Sequence, residues 1–361
     1  MKDSKKEFCR FCKIFLITFL IIVSASALLV VIADPFYQYH KPWLGMPVIL
    51  ENAVYQTPGA ARNLEYTDAI VGTSMTENFH TSWFDEEMGW NTMKLSYSGA
   101  RTDDLKAIFS QIFSREEPVH HIFMDINMYQ LTSPSWTAYA ERPGYLYDSI
   151  VINDLPYLFN RDVAADSWGR ILDGIMGKAD NIDTAYTWED PELFGAQNAM
   201  KEAEAGRGQM LAAYYSGETE GVALQDMLSV CQDNLDNILP FIRDNQDTEF
   251  IIYFPPYSML YWEQRVLYRD LEKMLQLYYY TMEELLEYPN VTLYDFQNEW
   301  DIITNLDNYM DMAHHRPEYN RYIFECIKNG EKRVTKENME EKIRDMYEFA
   351  QGYDYAGMWG Q

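Results

Sequence analysis

The chain combines short apolar runs with longer stretches in which apolar residues recur every three or four positions. The short runs predict β-strands, and they lie at 68–71, 91–96, 119–125, 249–254 and 291–295. The longer stretches predict amphipathic helices, as where Leu105, Ile108, Phe109 and Ile112 share one helical face. The first three strands alternate with helices. This order predicts an α/β protein with a parallel sheet and crossover helices.

A separate apolar segment lies at the N-terminus. Residues 14–33 contain no charge and are long enough to span about 30 Å of hydrocarbon as one helix. Residues 1–13 carry five basic residues against two acids, a net charge of +3, which predicts a cytoplasmic tail and an extracytoplasmic main domain. The alternative is a cleaved signal peptide with a small-residue site at 24–27, but the apolar run continues to Ala33 and favours an uncleaved anchor.

The remaining chain is divided by its prolines and aromatic residues. We expect an irregular juxtamembrane segment at 34–63, because Pro35 and Pro42 preclude a continuous helix. The main domain spans 64–351. It contains an irregular, partly helical insertion at about 130–220, rich in proline and aromatic residues, that is expected to form one wall of a pocket. A loose tail follows at 352–361.

Composition narrows the functional classes. The hydrophobic content of 47% provides for a sizeable core. The net charge of −27, or −30 after residue 13, repels polyanions and excludes nucleic-acid binding. Cys9 and Cys12 have no two further zinc ligands nearby and are interpreted as reduced cytoplasmic thiols. Cys231 and Cys326 either pair or remain free, and the free state is favoured.

Two motifs suggest nucleophilic catalysis. Ser74, in the only Gly-x-Ser of the chain, follows the first strand at a turn into a helix, where a side chain is exposed and a backbone N–H lies at a helix N-terminus. The alternative is that Ser74 merely caps the helix. Asp311 and His314 form the only Asp-x-x-His, a spacing at which the carboxylate orients the imidazole and leaves its other nitrogen to accept a proton. Both motifs follow strands, at the edge where α/β sheets bind ligands.

These motifs resemble those of the SGNH/GDSL hydrolases, specifically their membrane-anchored, extracytoplasmic members. Gly72-Thr73-Ser74 occupies the place of the Gly-Asp-Ser block, and Asp311 with His314 matches the Asp-x-x-His block. Gly99 follows the second strand, as the oxyanion glycine does in the family. The third block, Gly-x-Asn-Asp, is not matched. The third strand ends Met124-Asp125-Ile126-Asn127, so that only Asn127 remains as a side-chain oxyanion donor.

The resemblance implies a flavodoxin-like three-layer sandwich and serine ester chemistry. Ser74 is then the nucleophile, His314 the general base and Asp311 its orienting carboxylate. Ser74, Gly99 and Asn127 form the oxyanion hole. No cofactor or metal is expected, since a strand directs the neighbouring His120 and His121 to opposite sides.

Tethering favours a substrate near the membrane, and the first hypothesis is an esterase or O-acyltransferase that acts on an acylated envelope glycan or cell-wall polymer. The layout is similar to that of the teichoic acid D-alanyl transfer protein, which implies a membrane-bound O-acyltransferase as partner. The alternative is a catalytically weak SGNH-like domain that binds glycan or serves as a scaffold, suggested by the unmatched third block.

Overall fold

The computed structural model describes residues 2–135, 141–148, 150–217 and 222–360. The chain forms two compact units. The first contains Met1–Glu65 and Arg142–Ile182, and the second contains Tyr66–Glu141 and Asp183–Gln361. The predicted insertion at about 130–220 is therefore divided between them. Its residues 136–140, 149 and 218–220 lie outside the described residues.

The second unit contains a six-stranded sheet, which confirms the α/β class. The strands are β1 (Asp68–Val71), β2 (Thr92–Lys94), β3 (His121–Asp125), β4 (Glu249–Phe254), β5 (Val291–Asp295) and β6 (Arg333–Val334). Their order is β2-β1-β3-β4-β5-β6. The first five are parallel in a common doubly wound order. The sequence missed β6, which pairs antiparallel with β5 and makes the sheet mixed. Two residues are too few for a strand pattern.

Helices connect and cover the strands. In the described residues they are α1 (Lys2–Ala33), α2 (Ala53–Asn63), α3 (Ser74–Glu77), α4 (Thr81–Met88), α5 (Thr102–Ile112), α6 (Met128–Thr132), α7 (Leu155–Leu158), α8 (Arg161–Met176), α9 (Ala196–Ser216), α10 (Leu224–Leu235), α11 (Leu239–Asp244), α12 (Met259–Leu267), α13 (Leu271–Leu285), α14 (Trp300–Ile303), α15 (Pro317–Lys328), α16 (Met339–Gly352) and α17 (Tyr355–Met358).

Both faces of the sheet are covered because side chains alternate along each strand. On one face, Phe123 of β3 contacts Phe84 of α4, and both belong to a buried cluster that includes Phe324 of α15. On the other face, Phe250 of β4 contacts Phe109 of α5 with ring centroids 6.1 Å apart. The strands are buried on both sides, and their carboxyl ends therefore meet at one edge of a rigid core.

The first unit is helical. Helix α1 contains a segment, Lys5–Ala33, that is long and apolar enough to cross a membrane by length and composition. The prediction that residues 34–63 are irregular is wrong for Ala53–Asn63, which form α2 even though Pro58 lies within this helix. Helix α2 is packed closely: a Cβ on Gly59 would lie 2.1 Å from the carbonyl oxygen of Phe36. Tertiary packing here outweighs the local preference of proline.

Two helical stretches are interrupted. Residues 74–88 form α3 and α4 with a break between them, and residues 259–285 form α12 and α13. Arg269 lies between α12 and α13 with a φ of 56°, which ends the first helix. The tail expected to be loose contains α17. Cys9, Cys12, Cys231 and Cys326 are free, as favoured from the sequence.

Candidate active site

The turn after β1 determines how Ser74 is presented. Thr73, not Ser74, caps α3, because Thr73 Oγ1 accepts a hydrogen bond from the Met75 N–H at 3.2 Å. The alternative of Ser74 as the cap is therefore wrong. Gly72 has a φ of 147°, and a Cβ there would lie 2.2 Å from Asp125 Oδ1. The turn thus requires glycine and leaves the Ser74 hydroxyl available.

Asp125, at the end of β3, holds this turn from behind. It is fully buried and accepts hydrogen bonds from the Thr73 N–H at 2.8 Å, the Thr73 hydroxyl at 2.9 Å and the Asn127 amide at 2.8 Å. Burial raises the pKa of Asp125 despite these bonds. The sequence did not assign this role. The parallel pairing of β1 with β3 brings Asp125 to the turn.

Ser74, His314 and Asp311 form a continuous chain of hydrogen bonds. Ser74 Oγ lies 2.8 Å from His314 Nε2, and His314 Nδ1 lies 2.6 Å from Asp311 Oδ2. Asp311 Oδ1 also accepts the N–H groups of Ala313 and His314 at 2.7 and 2.8 Å, which fixes the carboxylate. The structure therefore brings Ser74 together with the Asp311–His314 motif, although Ser74 and His314 lie 240 positions apart in the sequence.

The hydrogen bond between His314 and Asp311 shifts the pKa values of both groups. Burial opposes the charged form of His314, but the hydrogen bond and charge of Asp311, with the charges of Glu77 and Glu202, raise its pKa above 6.5. Burial also opposes ionisation of Asp311, but its bonds to His314 lower its pKa below 3.8. The arrangement stabilises an imidazolium next to a carboxylate.

The backbone N–H groups of Ser74 and Gly99 are the ones that the sequence predicts for an oxyanion hole. Gly99 has a φ of 71°, and both Gly99 and Ser74 line the same cleft. Within the described residues, neither N–H donates to a protein acceptor. Asn127 also lines this cleft, but its side-chain amide donates to Asp125 and, at 3.3 Å, to the Thr73 hydroxyl. The Asn127 amide therefore supports the turn from the wall of the cleft.

Glu77 connects the site to its surroundings and was not identified from the sequence. It is buried on α3, and its Oε2 accepts hydrogen bonds from the Ser98 hydroxyl at 2.8 Å and the Trp188 indole at 3.0 Å. Trp188 in turn contacts the His314 ring edge-to-face, with centroids 5.4 Å apart. One carboxylate therefore holds both the Gly99 loop and an aromatic neighbour of the imidazole. No sequence motif marks this residue.

Ser74 opens into a cleft of about 640 Å³. Trp188 and Glu202 supply part of its wall, from the region where the sequence predicted a pocket wall. Tyr129 and Tyr257 form an aromatic pair on it, with centroids 5.9 Å apart. Arg101 Nη1 donates to the Tyr129 carbonyl at 2.6 Å and brings a positive charge to the cleft. This volume and lining suit a small molecule or one end of a polymer.

The other histidines lie outside this chain of hydrogen bonds. His121 is bonded to Asp68 at 2.6 Å, and His80 lies between Asp183 and Glu189. His315 is buried and bonds to the Arg316 carbonyl, and burial lowers its pKa to about 4. In the described part of the chain, no group of three or more His, Cys, Asp or Glu residues could hold a metal.

Comparisons with known proteins give no match: no family model matches the chain, and no curated protein matches it significantly.

Proposed function

We propose that this protein is a membrane-anchored, extracytoplasmic serine esterase or O-acyltransferase of the SGNH type. Ser74 attacks an ester carbonyl, and His314 removes the serine proton and later returns it to the leaving group. Asp311 orients His314 and stabilises its cationic form. The N–H groups of Ser74 and Gly99 stabilise the oxyanion, an effect worth about 3–4 kcal/mol for one good donor.

One observation carries this proposal: Ser74 Oγ, His314 and Asp311 are joined by hydrogen bonds of 2.8 and 2.6 Å at the wall of a cleft. The open N–H groups of Ser74 and Gly99 at the same wall support acyl chemistry. The doubly wound strand order agrees with the three-layer sandwich of that family. Asn127 lines the same cleft and remains the proposed third oxyanion donor, while its amide also donates to Asp125 behind the turn.

The location and partners belong to the same proposal. Helix α1 supports a single-pass anchor, and the basic residues before Ile14 favour a cytoplasmic N-terminus. The substrate is then an acylated glycan or polymer of the envelope. The charge of −30 after residue 13 favours a neutral polysaccharide. A membrane-bound O-acyltransferase that delivers acyl groups to Ser74 is the proposed partner.

The test is covalent labelling of the purified full chain with a fluorophosphonate, followed by peptide mass spectrometry. We expect the adduct on Ser74, together with hydrolysis of p-nitrophenyl acetate. Ser74→Ala should lose the label and about 10⁶-fold in kcat. Ser110→Ala is the control, because Ser110 is exposed on α5 and bonds only to the Lys106 carbonyl.

An unlabelled Ser74 together with unchanged esterase activity in Ser74→Ala would refute the proposal. Glycan binding that survives Ser74→Ala, with no turnover of any ester, would instead identify the catalytically weak binding domain.

A further inference from the structure

Helix α8 in the first unit carries an exposed apolar stripe. The stripe consists of large side chains spaced so that they share one helical face: Trp168, Leu172, Ile175 and Met176. Leu172 is 52% exposed and Ile175 is 77% exposed. The buried face of the same helix is formed by Val163, Ser167 and Arg170. The stripe is therefore not the side by which α8 packs onto its own unit.

The segment before α8 also exposes large apolar side chains. They are Ile150, Val151, Ile152, Leu155 and Phe159. We call these five residues and the stripe on α8 the apolar surface. Soluble proteins rarely expose contiguous apolar patches of this kind unless the patch contacts a partner or a membrane.

The apolar surface lies beside α1. Helices α7 and α8 both pack against α1, and Val163 and Ala164 of α8 join Val30 of α1 in one cluster. Residues 5–22 of α1 are exposed, whereas Val30 and Ala33 near its end are buried. Helix α8 thus packs against the last turns of the apolar helix and leaves the earlier turns exposed.

We propose that the apolar surface inserts into the bilayer next to α1, so that α8 lies in the lipid interface as an amphipathic helix. This inference goes beyond the proposed chemistry and rests only on the proposed anchoring by α1. The lipid that surrounds the exposed side of α1 would also surround the apolar side chains of α8, which packs against α1. Charged side chains lie at both ends of α8, where Arg161 is exposed before the stripe and Lys178 follows it.

The aromatic residue at the exit of α1 agrees with this placement. Trp43 is 47% exposed, and its indole donates to the carbonyl of Ile32 in the last turn of α1. Tryptophan is favoured at the membrane–water interface. With two contacts to the bilayer, the first unit is held in one orientation to the membrane plane, which a single spanning helix does not achieve.

The test places single nitroxide labels on the full chain in phosphatidylcholine–phosphatidylglycerol nanodiscs. Cys9 and Cys12 are exposed and are first changed to serine, while Cys231 and Cys326 are buried. The labels are carried by Ile17→Cys on α1, Leu172→Cys on the stripe and Asp166→Cys on the acidic side of α8. Collision rates are measured by power saturation with oxygen, which enters lipid, and with a nickel chelate, which remains in water.

We expect the ratio of oxygen to nickel collisions at Leu172→Cys to match that at Ile17→Cys and to exceed that at Asp166→Cys several-fold. A ratio at Leu172→Cys equal to that at Asp166→Cys, with Ile17→Cys in lipid, overturns the inference alone. Protection of Leu172→Cys from both reagents overturns the inference and indicates instead that a second copy of the chain covers the stripe. A label at Ile17→Cys that lies in water refutes the anchoring itself, and the inference with it.

Discussion

Two clefts of similar size lie at opposite ends of the sheet. Each is lined by a histidine that is hydrogen-bonded to a carboxylate. The Ser74 cleft has a volume of about 640 Å³ at the carboxyl ends of the strands, and the His121 cleft has about 580 Å³ at their amino ends. The distance from the histidine Nδ1 to the carboxylate oxygen is 2.6 Å both in the His314–Asp311 pair and in the His121–Asp68 pair. In each pair burial raises the carboxyl pKa, but bonds to histidine lower it overall.

The two clefts differ in the side chains that contact the imidazole ring besides its carboxylate partner. His121 stacks on Trp90 with centroids 4.5 Å apart, and no described residue that lines its cleft is a serine, threonine or cysteine. At the carboxyl ends, strands lead into turns and helices whose first N–H groups point outward. The Ser74 hydroxyl and the backbone N–H groups of Ser74 and Gly99 therefore line the same cleft there. A histidine–carboxylate pair is therefore not distinctive by itself, and the direction of the strands decides which pair has a serine hydroxyl beside the imidazole.

The most direct way to break this comparison is to remove each carboxylate. Asp311→Asn should lower kcat for p-nitrophenyl acetate by about 10⁴-fold, because the imidazole loses its tautomer and its counter-charge. Asp68→Asn should leave kcat unchanged but lower the free energy of unfolding by about 1–3 kcal/mol, because Asp68 accepts bonds from His121 and the Asn91 N–H. Equal losses of activity in the two variants would refute the distinction.

The support behind the Ser74 turn is expected to matter next. Asp125→Asn replaces the carboxylate oxygen that accepts from the Thr73 hydroxyl and the Asn127 amide with an NH2 donor, so those two bonds are lost and the turn should shift. A displacement near 1 Å costs about 10²-fold in rate. We therefore expect kcat to fall by about that factor, with the fluorophosphonate label on Ser74 slowed in parallel. Labelling at the wild-type rate would show that Asp125 does not position the turn.

Glu77 is expected to have a smaller effect. Glu77→Gln keeps the size of the side chain but weakens its bonds to Ser98 and Trp188, and we expect about a tenfold loss in kcat, the equivalent of one charge-assisted hydrogen bond. Glu249→Gln is the matched control in the His121 cleft, where Glu249 accepts a bond from the Thr292 hydroxyl. A loss of activity in the control as well would point to a general effect on the sheet.

The smallest effect concerns pH. Because the pKa of His314 is raised above 6.5, its neutral, proton-accepting form predominates only above that raised value. The acid limb of kcat/KM should therefore lie above pH 6.5, with activity falling as pH decreases through it. Glu77→Gln removes a nearby negative charge and should move the limb to lower pH, whereas Asp68→Asn should not move it. A limb below pH 6.5 in the wild type would contradict the assignment of His314.

The sequence alone determined much of the scaffold. Strands β1, β4 and β5 were predicted at their observed bounds because each is a buried apolar run ended by glycine, proline or aspartate. The apolar segment at 14–33 predicted most of α1. Ser74, Asp311 and His314 were proposed together because their motifs occur once and follow strands, and strand ends meet at one edge of a parallel sheet.

Only the tertiary structure showed which residues hold the candidate site in place. Asp125 reaches the turn, and Glu77 reaches both the Gly99 loop and Trp188, through hydrogen bonds that join residues 52, 21 and 111 positions apart. Local propensity contains no information about such pairs. It also suggested neither β6 nor the helix around Pro58, which exist because neighbouring elements pack against them. Local patterns fix the elements and their direction, while burial and distant partners decide which polar side chains converge.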